Sequence, residues 1–178
     1  MYIYTKIMRM KHLVIVLFFV LSITSCKQSK NNVVFDENAN QMILYGYVTP
    51  EAFQAEPFAR WYLAEYSNYT PQEDVVSAIA NLKEGVSVLV VLGTWCGDSK
   101  REVPRFMKII DGAGFADEHI TIIGVNRFKV CPEANIHKGD IQLVPTFIIS
   151  KNGKELGRIE ETPLVSLEED FLGIIDDE

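Results

Sequence analysis

Cysteine and histidine are both scarce, with three of each in 178 residues. So few cysteines exclude the disulfide-stapled scaffolds of small secreted proteins, which need a paired framework. His12, His119 and His137 stand apart from one another and from the cysteines, so the sequence shows no metal-ligand spacing and suggests no catalytic triad. Positive charge is also short, with 17 Lys and Arg against 24 Asp and Glu and a net charge of −7. Lys6, Arg9 and Lys11 fall in the first 26 residues, which hold no acid, so the remainder is more acidic still. A body of that sign repels phosphate backbones and excludes nucleic acid as a partner; its plainest role is solubility. Internal repeats and low-complexity tracts are absent. What is present is apolar material, 48% of residues, enough for the core of about one domain without staples.

The N-terminus reads as a targeting segment. Basic residues up to Lys11 precede an apolar run over 13–23, and Ser22, Thr24 and Ser25 place small residues before Cys26. A helix over that run spans about 16 Å, short of the roughly 30 Å hydrocarbon core, which weighs against a transmembrane anchor. Leu21-Ser22-Ile23-Thr24-Ser25-Cys26 resembles the lipobox of bacterial lipoproteins, although Ile23 stands where leucine is commonest. That resemblance implies a lipoprotein-type signal peptide over 1–26, with Cys26 acylated and first in the mature protein. Several acyl chains on one cysteine anchor stably where a single chain does not. An ordinary cleaved signal with Cys26 incidental is the alternative. Either reading puts the folded part outside the cytoplasm, in a bacterial cell envelope; the lipid reading holds it to a membrane on the periplasmic side. Residues 27–40 are polar and Asn-rich and read as a flexible tether, leaving 41–178 as the folded domain.

Along that domain a short strand is expected over 42–48. Thr49-Pro50 and Thr70-Pro71 each read as an N-cap with proline at the first helical position, and Glu73 completes a capping box with Thr70. Val75, Val76, Ile79 and Leu82 form an apolar face before Gly85. Phe53, Phe58, Trp61, Tyr62 and Tyr66 lie on a helical stretch interrupted by Pro57 and read as packing rather than a ligand cage. Beyond Gly85 the pattern alternates: a buried strand over 86–92, a helix carrying Val103, Phe106, Met107 and Ile110 and ending near Gly112, then a buried strand over 120–125. A short helix is expected over 132–138. Strands over 146–150 and 155–160 flank Asn152-Gly153, a hairpin signal. Thr162-Pro163 opens a last helix with Leu164, Leu167, Phe171 and Ile174 inward. This order predicts an α/β domain, a central mixed sheet flanked by helices with an N-terminal helical extension. Parallel strands would bring their C-terminal ends to one edge, where sites are usually built.

Trp95-Cys96-Gly97-Asp98-Ser99 stands at that edge. A thiol in the first turn of a helix meets the partial positive charge of the amide ends, which favours the nucleophilic thiolate. Gly97 leaves room for a partner chain to approach. Trp95 either shields one side of the thiol with apolar area or simply packs. Ser99 occupies the place of a second cysteine in a C-x-x-C pair. It cannot attack a mixed disulfide, but its hydroxyl can donate a hydrogen bond to the Cys96 thiolate. Asp98 opposes the thiolate, whereas Lys100 and Arg101 favour it. Cys131 follows the second buried strand toward the same edge. It is either a resolving thiol for Cys96 or a half-buried cysteine capping the next helix, and the intervening loop decides neither.

The Trp-Cys-Gly opening, Pro104 eight residues after the cysteine, Val144-Pro145-Thr146 and Asn152-Gly153 together resemble the thioredoxin superfamily over roughly residues 70–178. The resemblance implies a thioredoxin-like fold with Pro145 cis and facing Cys96, and calls for no cofactor and no metal. With no amide of its own, Pro145 would leave neighbouring backbone groups to pair with an extended partner peptide. Two departures matter: Ser99, and Val90 where the family usually carries a buried acid. Peroxiredoxins carry a threonine at the position of Gly93. Monothiol glutaredoxins share Cys-Gly-x-Ser, but their later glycine pair and acid are missing here. The resemblance therefore implies a thiol–disulfide oxidoreductase or isomerase working by a monothiol route through Cys96. Its partners would be exported proteins with cysteines or disulfides and an external thiol reductant. The alternative is a non-catalytic peptide-binding adaptor lipoprotein of the same fold.

Overall fold

Alternating apolar runs become a six-stranded mixed sheet in the computed structural model, which describes residues 29–176. Its strands are β1 (Asn32–Asp36), β2 (Gln41–Val48), β3 (Val86–Leu92), β4 (Ile120–Gly124), β5 (Thr146–Lys151) and β6 (Lys154–Glu160), in the order β1-β2-β4-β3-β5-β6. β3 and β4 run parallel, and the other neighbouring pairs are antiparallel. Four helices flank the sheet: α1 (Ala59–Asn68), α2 (Glu73–Leu82), α3 (Gly97–Ala113) and α4 (Leu167–Asp176). The architecture is α/β and compatible with a thioredoxin-like fold. The signal-peptide and lipidation readings for 1–26, Cys26 included, lie outside the described residues. No helix among the described residues is long and apolar enough to cross a membrane.

The two-residue period of β3 splits the core into two clusters. Val88, Val90 and Leu92 join Phe106, Phe147 and Phe171 on one face, where all four helices contribute. Phe106 and Phe147 stack with ring centroids 4.2 Å apart. Val91 points the other way and joins Ile123, Val125, Cys131, Ile136 and Val144. That face is closed by the connection over 125–144, which carries one short 3₁₀ turn (Pro132–Ala134) and site residues. The aromatic group expected to pack does so: Phe53 stacks on Tyr62 at 4.7 Å, with Trp61 edge-on to both.

Four expectations are corrected. The tether over 27–40 is too long, because Val33, Val34 and Phe35 are strand formers and pair with β2 as β1. Its turn is held by the Asp36 carboxylate, which accepts the N–H groups of Asn38 and Ala39. The Thr70–Glu73 capping box does not form. Thr70 and Pro71 precede a helix that starts at Glu73, and the Gln72 N–H donates instead to Glu168 of α4 at 3.0 Å. The helix expected over 132–138 is a closed loop, since Cys131 and Ile136 exchange two backbone hydrogen bonds and Asn135 takes a left-handed φ of 57°. The last helix begins at Leu167, not after Thr162-Pro163. The Ser166 hydroxyl accepts the Glu169 N–H at its start, and Leu164 is 96% exposed rather than inward.

Candidate active site

β3 and β4, being parallel, end at the same edge, and the Val125 N–H donates to the Leu92 carbonyl there at 2.9 Å. The four residues after β3 turn the chain into α3. Gly93 is required in this turn, because a Cβ there would lie 2.5 Å from the Trp95 ring. Thr94 is buried, and its hydroxyl accepts the Leu44 N–H at 3.2 Å, fastening the turn to β2. Cys96 is the N-cap of α3 in extended backbone, with its carbonyl accepting the Lys100 N–H at 3.1 Å. The thiol therefore sits at the amide end of a 17-residue helix, which Pro104 interrupts without ending. Cys96 is half-buried.

Val144–Pro145 is a cis peptide, and the Cys96 Sγ lies 3.2 Å from the Val144 carbonyl oxygen. The structure thus brings Cys96 and Pro145 together across the site, as expected. The backbone around the proline is less available than expected. The Leu143 carbonyl accepts the Thr146 hydroxyl at 2.7 Å, and the Pro145 carbonyl accepts the Glu161 N–H at 2.7 Å. It is the Val144 carbonyl that faces the thiol.

Trp95 is fixed at both ends. Its indole Nε1–H donates to the Val125 carbonyl at 3.0 Å, and the Arg127 guanidinium covers its ring at 4.4 Å. Ser99 is in the place expected but not in the role. It is fully buried, and its hydroxyl oxygen accepts the Gly93 N–H at 3.2 Å, tying the start of α3 to the end of β3; no hydrogen bond joins it to Cys96. Asp98 and Glu102 both pair with Arg101, which donates to Asp98 at 2.7 Å and to Glu102 at 2.5 Å. Asp98 Oδ2 stands 4.0 Å from the Cys96 sulfur. Val90, at the position of the absent acid, is fully buried in the apolar core.

Cys131 is fully buried rather than half-buried. It belongs to the cluster that Trp95 and Cys96 pack against, yet both thiols are free. It precedes the 3₁₀ turn as its N-cap residue, and its sulfur lies 3.7 Å from the Glu133 carboxylate, which Tyr45 also reaches at 3.0 Å. Burial pushes its thiol above the ordinary cysteine value. No group of three or more His, Cys, Asp or Glu side chains able to hold a metal occurs among the described residues. Sequence reasoning did not reach Arg127, Thr94 or the Glu161 contact. Each lies far along the chain from its partner or carries no motif of its own.

No family model matches this chain, and no curated protein matches it. Among solved structures, a protein of unknown function from Pseudomonas aeruginosa is similar at a TM-score of 0.47 and 16% identity, over 67% of this chain and 81% of that one.

Proposed function

We propose that this protein is an exported member of the thioredoxin superfamily that carries out thiol–disulfide exchange through a single cysteine. The observation that carries this reading is the half-exposed Cys96 thiol at the α3 N-terminus, 3.2 Å from the carbonyl before cis-Pro145. The Cys96 thiolate attacks one sulfur of a substrate disulfide, forming a mixed disulfide and releasing the other sulfur as a thiolate. In isomerisation, a thiol of the same substrate then displaces Cys96, and no net electrons move. In reduction, an external thiol takes that role and ends in a disulfide with a second thiol, supplying two electrons. Ser99 offers no resolving thiol, and free, buried Cys131 is poorly placed for that part. The anchor at Cys26 and a cell-envelope location belong to the same proposal.

The test is capture of mixed disulfides after alkylation quench of cells producing the full chain. Covalent partners released by reductant are expected with the native protein and lost with Cys96→Ala. A non-catalytic peptide-binding module is the second reading, favoured by the engagement of Ser99 with Gly93 and the apolar Val90. It predicts partners that survive Cys96→Ala and are not released by reductant.

A further inference from the structure

The first strand shortens the tether to almost nothing. Lys30 bridges Tyr47, the Asn31 N–H donates to the Tyr47 carbonyl at 2.8 Å, and the Asn31 side chain exchanges two hydrogen bonds with Thr49. The chain is therefore fastened to the sheet from Lys30 onward. Four residue steps separate Lys30 from Cys26, a reach of about 14 Å at most. That is no more than about the length of β1 itself, whose five residues also span four steps. A lipid on Cys26 would thus hold the β1–β2 hairpin against the bilayer instead of letting the domain swing clear.

The surface of this hairpin suits that position. β1 is the edge of the sheet, and Val33, Val34, Phe35 and Met42 are all exposed, Phe35 by 56%. Phe35 and Met42 are register partners, and Val33 lies on the same face by the two-residue period. An edge strand showing consecutive apolar side chains to water is normally blunted, twisted away or covered. Beside its turn stands Phe128, 64% exposed, on a loop whose Arg127 N–H donates to Asp36 at 2.9 Å. Exposed Lys30 precedes the strand, while Arg127 and Lys129 flank Phe128 at the turn end. Arg127 is engaged on Trp95 and exposed Glu37 stands in the hairpin turn, so Lys30 and Lys129 are the cations that set these apolar side chains toward the boundary between acyl chains and anionic headgroups.

We infer that the β1–β2 hairpin and the Phe128 tip rest on a phospholipid bilayer surface, held there by the anchor at Cys26. The inference rests on the lipid-anchor part of the proposed function. The open backbone of an edge strand forbids deeper insertion, because hydrocarbon satisfies no N–H or C=O. The hairpin therefore lies edge-on at headgroup level, with Phe35 and Met42 dipping from the helix-side face of the sheet and Phe128 from the loop on the other face. The Asp36–Arg127–Trp95 contacts run from this face to the thiol, so the site addresses disulfides presented close to the membrane.

The test uses the full chain isolated with its lipid from the membrane fraction of producing cells. It is placed on phosphatidylcholine–phosphatidylglycerol vesicles carrying a diazirine-bearing phospholipid, irradiated and mapped by peptide mass spectrometry. Adducts are expected to concentrate in peptides covering 32–42 and 127–129. Phe35→Ser is expected to lose most of the hairpin adducts while the protein stays on the vesicles. Adducts spread evenly, or gathered at Leu164 and Val165, the most exposed large apolar residues, would overturn the inference and leave the hairpin to a partner strand or a second copy. An unmodified Cys26 in the same spectra would remove the anchor and this inference together. That outcome leaves exchange at Cys96, which is read by mixed-disulfide capture, unaffected.

Discussion

Cys96 and Cys131 share an apolar cluster but present different chemistry. One caps a long helix at the surface, and the other is sealed under the 125–144 connection beside a carboxylate. Burial, reinforced by the Glu133 charge, keeps Cys131 protonated and out of reach. Iodoacetamide at neutral pH is therefore expected to label Cys96 in the folded protein and to reach Cys131 only after unfolding, read by peptide mass spectrometry. Comparable labelling of both in the native state would mean that the connection opens readily. At this scale the sequence was informative about position and weak about partnership. Cys96 was legible from its place between an apolar strand and a helix, and Pro145 only from the resemblance that Val144-Pro145-Thr146 carries. The Ser99 bond to Gly93 was not, because a serine hydroxyl serves a thiol or an amide equally well and packing decides which.

Among elements, the junction of α2 and α4 shows why local signals failed. Thr70 and Glu73 have capping-box spacing, yet Glu168 reaches across from α4 to accept both the Gln72 N–H and the Tyr69 hydroxyl, the latter at 2.5 Å. A carboxylate from 96 positions away outcompetes a box within four residues, and no local pattern announces it. Burial alone would raise Glu168, but its donors hold it below the ordinary carboxyl value. Because the folded value is the lower one, this stabilisation is present above about pH 4.3, the unfolded value, and is lost as pH falls through the folded value. Glu168→Gln is expected to cost about 1–3 kcal/mol at neutral pH and less in acid, read from urea unfolding at both. An equal loss at both would show that the charge is irrelevant. Strands and turns were more legible: β3 falls where its apolar run does, and Asn152-Gly153 makes the β5–β6 turn with φ of 51° and 81°.

For the whole molecule, the α/β order was readable from alternating periodicity, since each run needs a face to bury. The unequal covering of that sheet was not readable. Helices take one side and an irregular connection takes the other, because the 125–144 segment spends its hydrogen bonds on closed loops. One carboxylate joins distant parts of this arrangement. Asp36 ends β1, holds its own turn, and accepts the Arg127 N–H at 2.9 Å from the loop that covers Trp95. Burial would raise this acid too, but its amide donors keep it below the ordinary value. Its hold is thus complete above about pH 3.9 and released together as acid protonates it. Hydrogen exchange offers a direct reading. The Ala39 and Arg127 amides, far apart in sequence, are expected to open as one unit with matched protection, and Asp36→Asn to speed both by a similar factor. Separate rates, or acceleration of one amide alone, would show two independent latches. If they are matched, the hairpin and the loop over Trp95 form one mechanical part, and whatever grips the first sets how often the second lifts.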